Sequence, residues 1–135
     1  MDIGKQFLHT MGKNILVEAQ KHIDHAMDAY NQHYGPPDDE SAEWTPPPED
    51  VDRAVNKLFM ANVGMLAAHN TGEYRAAHKN LGAVHQLLHI AGKKLPSGDA
   101  ERAYPVYQAI QRAKAGVREA GDQYASLMTT EPPRE

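Results

Sequence analysis

The sequence contains no cysteine, which excludes disulfides, thiolate metal sites and a cysteine nucleophile. No apolar run comes near the roughly twenty residues that a membrane-spanning helix needs. The N-terminal segment also lacks the basic region and uninterrupted apolar core of a signal peptide. From these absences we expect a cytoplasmic protein that has no membrane segment.

Recognisable catalytic motifs are missing as well. The chain has no glycine-rich dinucleotide motif, phosphate loop, nucleophile elbow, His-Glu-x-x-His sequence or EF-hand loop. It has no Glu-x-x-His pair either, which disfavours a di-iron carboxylate bundle. We therefore expect a protein that is not an enzyme and that needs no cofactor.

The net charge of −4 conceals an asymmetry between the two halves of the 135-residue chain. Residues 1–71 carry five Lys/Arg against eleven Asp/Glu, whereas residues 72–128 carry eight against five. Because the basic half lacks a dense Lys/Arg stripe, we do not expect a nucleic-acid partner. Weak nucleic-acid binding stays an alternative, and it would use Arg75, Lys79, Lys93, Lys94, Arg112 and Arg118.

Apolar residues recur at spacings of three and four in four segments, which predicts helices over about residues 2–33, 47–70, 73–92 and 99–128. Gly35-Pro36-Pro37 ends the first helix, and Asn70-Thr71-Gly72 makes a hairpin of the second and third. The pattern predicts an all-α, up-down four-helix bundle that forms a single domain over residues 1–128. Residues 129–135 have the composition of a flexible C-terminal tail.

Several single residues carry expectations about the packing of this bundle. Gly12 lies on the apolar side of the first helix and favours close approach of a neighbour. Asn62 and His69 fall on the apolar face of the second helix, so each should form hydrogen bonds across the bundle. We expect Thr45 to cap the second helix, and Pro105 to kink or restart the fourth.

A long proline-rich and acidic loop joins the first two helices. Residues 34–49 include five prolines and the only tryptophan, Trp44. This side chain either covers the end of the bundle or anchors a protein partner, since tryptophan is common at binding hot spots. The residues that we predict to bind a partner are Trp44, Asp38, Asp39, Glu40 and Glu43.

Histidine is the only residue type in the chain whose spacing indicates a specific chemistry. His78, His85 and His89 share one side of the third helix. In an up-down bundle His22 and His25 fall at about the level of His85 and His89, and these four imidazoles could bind Zn²⁺, Ni²⁺ or Cu²⁺. Two alternatives remain open: half-buried histidines with ordinary hydrogen bonds, or a stripe that responds to pH or faces a partner.

These observations favour a non-enzymatic interaction or regulatory protein, which binds a protein partner through helix faces or the acidic loop. A transition-metal-binding bundle is the alternative. Apolar residues beyond one stripe per helix also predict a homo-oligomer. These surplus residues are Ile3, Phe7, Leu16, Met27, Met60 and Val63.

Overall fold

The computed structural model describes residues 3–39, 43–96 and 98–129, with residues 3–5 described by their backbone only. Within these ranges the chain forms four helices and no strand: α1 (Ile3–Tyr34), α2 (Glu49–Asn70), α3 (Tyr74–Lys94) and α4 (Ala100–Thr129). The predicted all-α class is confirmed. No helix in the described ranges is apolar over a length that could cross a membrane.

The helices pack against one another as a helical bundle. α1 packs on α4, α4 on α3 and α3 on α2, while the contact between α1 and α2 is less extensive. At one end, His9 near the start of α1 lies beside His69 at the end of α2 and beside Tyr74 at the start of α3. His69 in turn contacts Tyr124 near the end of α4. These contacts are those of helices that alternate in direction.

The predicted apolar stripes form the core. Each helix contributes fully buried side chains, among them Ile23 of α1, Met65 of α2, Leu88 of α3 and Val117 of α4. Leu16 is also fully buried and Met27 packs against the core. The expectation that these two residues belong to a surplus surface was therefore wrong. The side chain of Ile3 lies outside the described part of the chain.

The hairpin between α2 and α3 is confirmed, and Gly72 allows it. The φ angle of Gly72 is 82°, a left-handed conformation that glycine adopts without a steric penalty. Its N–H donates to the carbonyl of His69 (3.0 Å), and the N–H of Glu73 donates to the carbonyl of Ala68 (2.8 Å). This pair of bonds is a Schellman motif, which ends α2 at Asn70.

Three predicted helix boundaries differ from the structure. Pro48 is the N-cap of α2 and no side chain caps this helix, so the expected role of Thr45 was wrong. α3 continues past Gly92 to Lys94. α4 is one helix that runs through Pro105, so the expected restart was wrong, whereas the alternative of a kink stays a prediction. Pro105 is only five residues past the first residue of α4, so its missing N–H removes a single bond near the helix end.

Candidate functional site

The second half of the proline-rich loop is tied to the end of the bundle. The indole Nε1–H of Trp44 donates to the carbonyl of Tyr34 (3.1 Å). Arg102 of α4 donates from Nε to the carbonyl of His33 (2.7 Å) and from Nη2 to the carbonyl of Thr45. Its guanidinium also lies 4.3 Å from the centre of the Tyr34 ring. Trp44 and Arg102 therefore fix the loop to the ends of α1 and α4.

Trp44 stays accessible although it is fixed. The residue is 45% exposed, so it lies over the end of the bundle and presents much of its ring to solvent. Of its predicted acidic companions, Asp38, Asp39 and Glu43 are exposed. Glu40 lies outside the described residues. The two interpretations of Trp44 thus do not exclude each other.

Below the loop, the bundle is closed by two tyrosines. The rings of Tyr30 and Tyr34 stack with centroids 5.5 Å apart, and the Tyr30 hydroxyl donates to Asp52 Oδ1 (3.0 Å). Burial raises the pKa of both phenols. The Tyr34 hydroxyl is buried and has no hydrogen-bond partner among the described residues. Both phenols therefore stay neutral. The positive charge that faces the acidic loop at this end of the bundle is that of Arg102.

The histidine pairs that we predicted to share a metal lie on two sides of α4. His22 and His25 line a surface pocket of about 510 Å³ between α1 and α4, together with Arg112. The ring of His22 packs where Gly116 has no side chain. On the α3 side, Lys114 Nζ donates to His89 Nδ1 (2.9 Å).

The other predicted ligand on that side, His85, lines a separate pocket with Lys114 and Arg118. Burial lowers the pKa of His85, and the positive charges of Lys114 and Arg118 lower it further. The two pairs line pockets against different residues of α4, so they do not share one pocket. In the described part of the chain, no three His, Asp or Glu side chains are grouped as a metal site requires. The shared metal site stays a prediction.

A different histidine lies at the centre of a buried ring cluster. His69 is 0% exposed. Its Nε2–H donates to the carbonyl of His9 (2.8 Å) and its Nδ1 accepts from the Tyr124 hydroxyl (2.9 Å). Because a carbonyl can only accept, Nε2 carries a proton. Burial lowers the pKa of His69 and so favours the neutral imidazole, whose Nδ1 accepts from the Tyr124 hydroxyl. The ring of His9 stacks on His69 at 4.8 Å.

Gly12 gives His69 the room to reach the backbone of α1. A Cβ at Gly12 would lie 2.7 Å from His69 Cε1 and 3.0 Å from the Tyr124 ring. We predicted the close approach of a neighbouring helix at Gly12, and the groups that approach are two side chains, one from α2 and one from α4. Burial lowers the pKa of His69, while its bond to the His9 carbonyl opposes that shift.

Some of the remaining sequence predictions are confirmed and others are not. His69 has the cross-bundle partners that its position predicted, but Asn62 Oδ1 is buried without a partner among the described residues. His78 stacks on Tyr124 of α4 at 6.3 Å, so all three predicted histidines of α3 face α4. The basic residues named for nucleic-acid binding do not all lie on one surface, because Arg112 and Arg118 line pockets on different sides of α4.

Comparison with known proteins finds no relative: no family model, no curated protein and no solved structure matches the chain. The arrangement of the chain's own residues is therefore what supports a function. Two features stand out chemically. One is the second half of the proline-rich loop, where Trp44 is exposed although it is held by a hydrogen bond. The other is a set of histidines that lie on different sides of α4.

Proposed function

We propose that the protein is a non-enzymatic interaction protein that binds a protein partner through its acidic, proline-rich loop. The observation that supports this most directly is the state of Trp44, which is 45% exposed although its indole N–H is bonded to Tyr34. A buried tryptophan would serve the core alone. An exposed one on an untethered loop would lose much conformational freedom on binding.

The tether at Arg102 makes the loop suitable for recognition. Rigid presentation lowers the entropy that a loop loses when a partner binds, and prolines restrict the backbone further. Arg102 contacts the loop at Thr45, one residue from the tryptophan. A tryptophan held in this way is a typical hot-spot residue, because it supplies a large apolar area with few rotatable bonds.

The charge of the loop that carries Trp44 indicates the kind of partner. Asp38, Asp39 and Glu43 are exposed on the same loop. A partner with basic side chains around an apolar pocket would complement this surface, and attraction between the two charges would speed association. Binding should therefore weaken as the salt concentration rises.

The experiment compares the wild-type protein, Trp44→Ala and Tyr104→Ala as baits in a native lysate. The captured protein is then purified and titrated against each of the three. Trp44→Ala should weaken binding by roughly thirtyfold, the effect of losing about 2 kcal/mol at a hot spot. Tyr104→Ala is the matched control, because Tyr104 is an exposed aromatic residue of α4 outside the loop. Equal losses in both variants, or none in Trp44→Ala, would contradict the proposal.

A second copy of the chain is a further possible partner, because α2 exposes apolar side chains. Phe59, Met60 and Val63 of α2 are all more than half exposed. They lie on the helix whose contact with α1 is the least extensive around the bundle. An apolar surface of this kind supports self-association, although a loop partner does not depend on it.

A further inference from the structure

Two pairs of nitrogen-bearing side chains face each other between α3 and α4. His85 and His89 are four residues apart on α3, and Lys114 and Arg118 are four residues apart on α4. Since residues four apart lie on one face of a helix, each pair forms a short row. The rows are in contact, because Lys114 Nζ lies 2.9 Å from His89 Nδ1 and because His85 lines one pocket with Lys114 and Arg118.

Within the described residues, neither positive charge of this group forms an ion pair with a carboxylate, although Lys114 donates a hydrogen bond to His89. The ion pairs in the described ranges join Lys21 to Glu18, Arg53 to Glu49 and Arg102 to Asp99. Neither Lys114 nor Arg118 takes part in them. Glu119 and Asp122 also line the pocket, yet neither forms an ion pair there.

The orientation of the donors favours an anion over a metal cation. Lys114 can only donate, so His89 Nδ1 uses its lone pair to accept from the ammonium group. A metal ion would have to displace that bond and join two fixed positive charges, which Coulomb repulsion opposes. An oxyanion would be attracted by Lys114 and Arg118 and repelled by Glu119 and Asp122 of the same pocket, so it has to bind directly beside the two cations.

We propose that His85, Lys114 and Arg118 form a binding site for a phosphate group between α3 and α4. The pocket has a volume of about 360 Å³, which admits a phosphate and part of a molecule that carries it. Arginine binds phosphate oxygens through two parallel N–H donors, and lysine adds a compact positive charge. Gln111 of the same pocket offers an amide as a further donor.

The direct test is nuclear magnetic resonance with inorganic phosphate as the probe, at a slightly alkaline pH. Phosphate should shift the side-chain signals of His85 and Arg118 in a saturable way, relative to chloride at the same ionic strength. A parallel titration with phenyl phosphate distinguishes free phosphate from a phosphorylated molecule. Tighter binding of the monoester would support a phosphorylated ligand, and tighter binding of inorganic phosphate would support the free ion.

The matched variants are two arginines on opposite sides of α4. Arg118→Gln should weaken phosphate binding by roughly fivefold, the size of an exposed charge–charge interaction. Arg112→Gln removes an exposed arginine that lies beside His22 and His25 instead, and should leave binding unchanged. Equal responses to phosphate and chloride would overturn the proposal. So would an equal loss in both variants, because binding would then reflect general surface charge.

Discussion

The phenol of Tyr124 donates a hydrogen bond to Nδ1 of His69 at 2.9 Å, across the interior of the bundle. The two residues are 55 positions apart and lie on α2 and α4, helices that do not pack on each other directly. The bond therefore links two helices through the core. Burial lowers the pKa of His69, so the neutral imidazole accepts from Tyr124 at Nδ1 and donates from Nε2 to the His9 carbonyl of α1.

Removing the Tyr124 hydroxyl should show how much this hydrogen bond contributes to the free energy of unfolding. In Tyr124→Phe the ring still fills its space, but His69 Nδ1 is left buried without a donor. An unsatisfied buried acceptor costs about 1–3 kcal/mol, so the free energy of unfolding in a denaturant titration should fall by that amount. Tyr107→Phe on the exposed side of α4 is the control and should stay within about 0.5 kcal/mol. Equally small changes in the free energy of unfolding of Tyr124→Phe and Tyr107→Phe would show that the bond does not stabilise the fold.

The buried neutral His69 predicts a fall in stability with acid. Because burial lowers its pKa in the folded state, the unfolded chain binds the proton more readily. The contribution of His69 is therefore fully present above the ordinary histidine pKa of about 6.5 and is lost as the pH falls below it. Neighbouring His9 and Lys13 oppose protonation further through their charges.

The measurement is the free energy of unfolding between about pH 8 and about pH 5. The pKa of His85 is also lowered by burial, so the wild-type slope contains both groups. His69→Gln should reduce the slope, because glutamine does not titrate and can still donate and accept. Asn31→Gln, at an exposed position that carries no titratable group, should leave it unchanged. An unaltered slope in His69→Gln would remove His69 as the cause.

Two glycines within helices should respond in opposite ways to the same substitution. Alanine normally stabilises a helix interior by about 0.5–1 kcal/mol relative to glycine. Gly82→Ala should show this gain, since nothing lies within 4 Å of its added Cβ. Gly12→Ala should instead destabilise, because the new Cβ meets His69 Cε1 at 2.7 Å. Thermal unfolding of both variants tests the contrast, and a gain at Gly12 would mean that His69 moves freely.

The cluster around His69 shows what the sequence could and could not predict. A buried face follows from helical spacing, so the positions of His69 and Gly12 on such faces were sufficient to predict a bonded histidine and a close approach. The partners could not be predicted, because His9 and Tyr124 are brought to His69 only when four helices assemble. The same limit applied to the histidine pairs: periodicity gives their level along the bundle but not which side of α4 they occupy.

The start of α2 was predicted wrongly for a local reason. Thr45 precedes three prolines, and the last of them, Pro48, has an extended backbone with ψ of 139°. This extension carries Thr45 away from the first turn of α2, and Arg102 then donates to its carbonyl. A contact between residues 57 positions apart leaves no periodic pattern in the sequence.

That contact predicts how the loop responds when Arg102 is changed. Arg102→Gln removes the donors to His33 and Thr45 together with the stacking on Tyr34, so the loop should detach more often. Trp44 is the only tryptophan, so its fluorescence reports on the loop alone. We expect red-shifted emission and faster quenching by acrylamide. Arg53→Gln, which removes an exposed pair with Glu49, should leave the emission unchanged, and an unchanged spectrum in Arg102→Gln would refute the tether.

The exposed apolar residues of α2 predict self-association that depends on concentration. Met60 is 71% exposed, and Phe59 and Val63 flank it on the same part of the helix. Covering them removes apolar surface from water at about 25 cal/mol per Å². Light scattering should therefore give a mass above the 14.9 kDa chain as the concentration rises. Replacing all three residues by glutamine should restore the monomer mass, whereas replacing Tyr104 and Tyr107 of α4 in the same way should not. A monomer at every concentration would leave the loop as the main candidate surface for a partner.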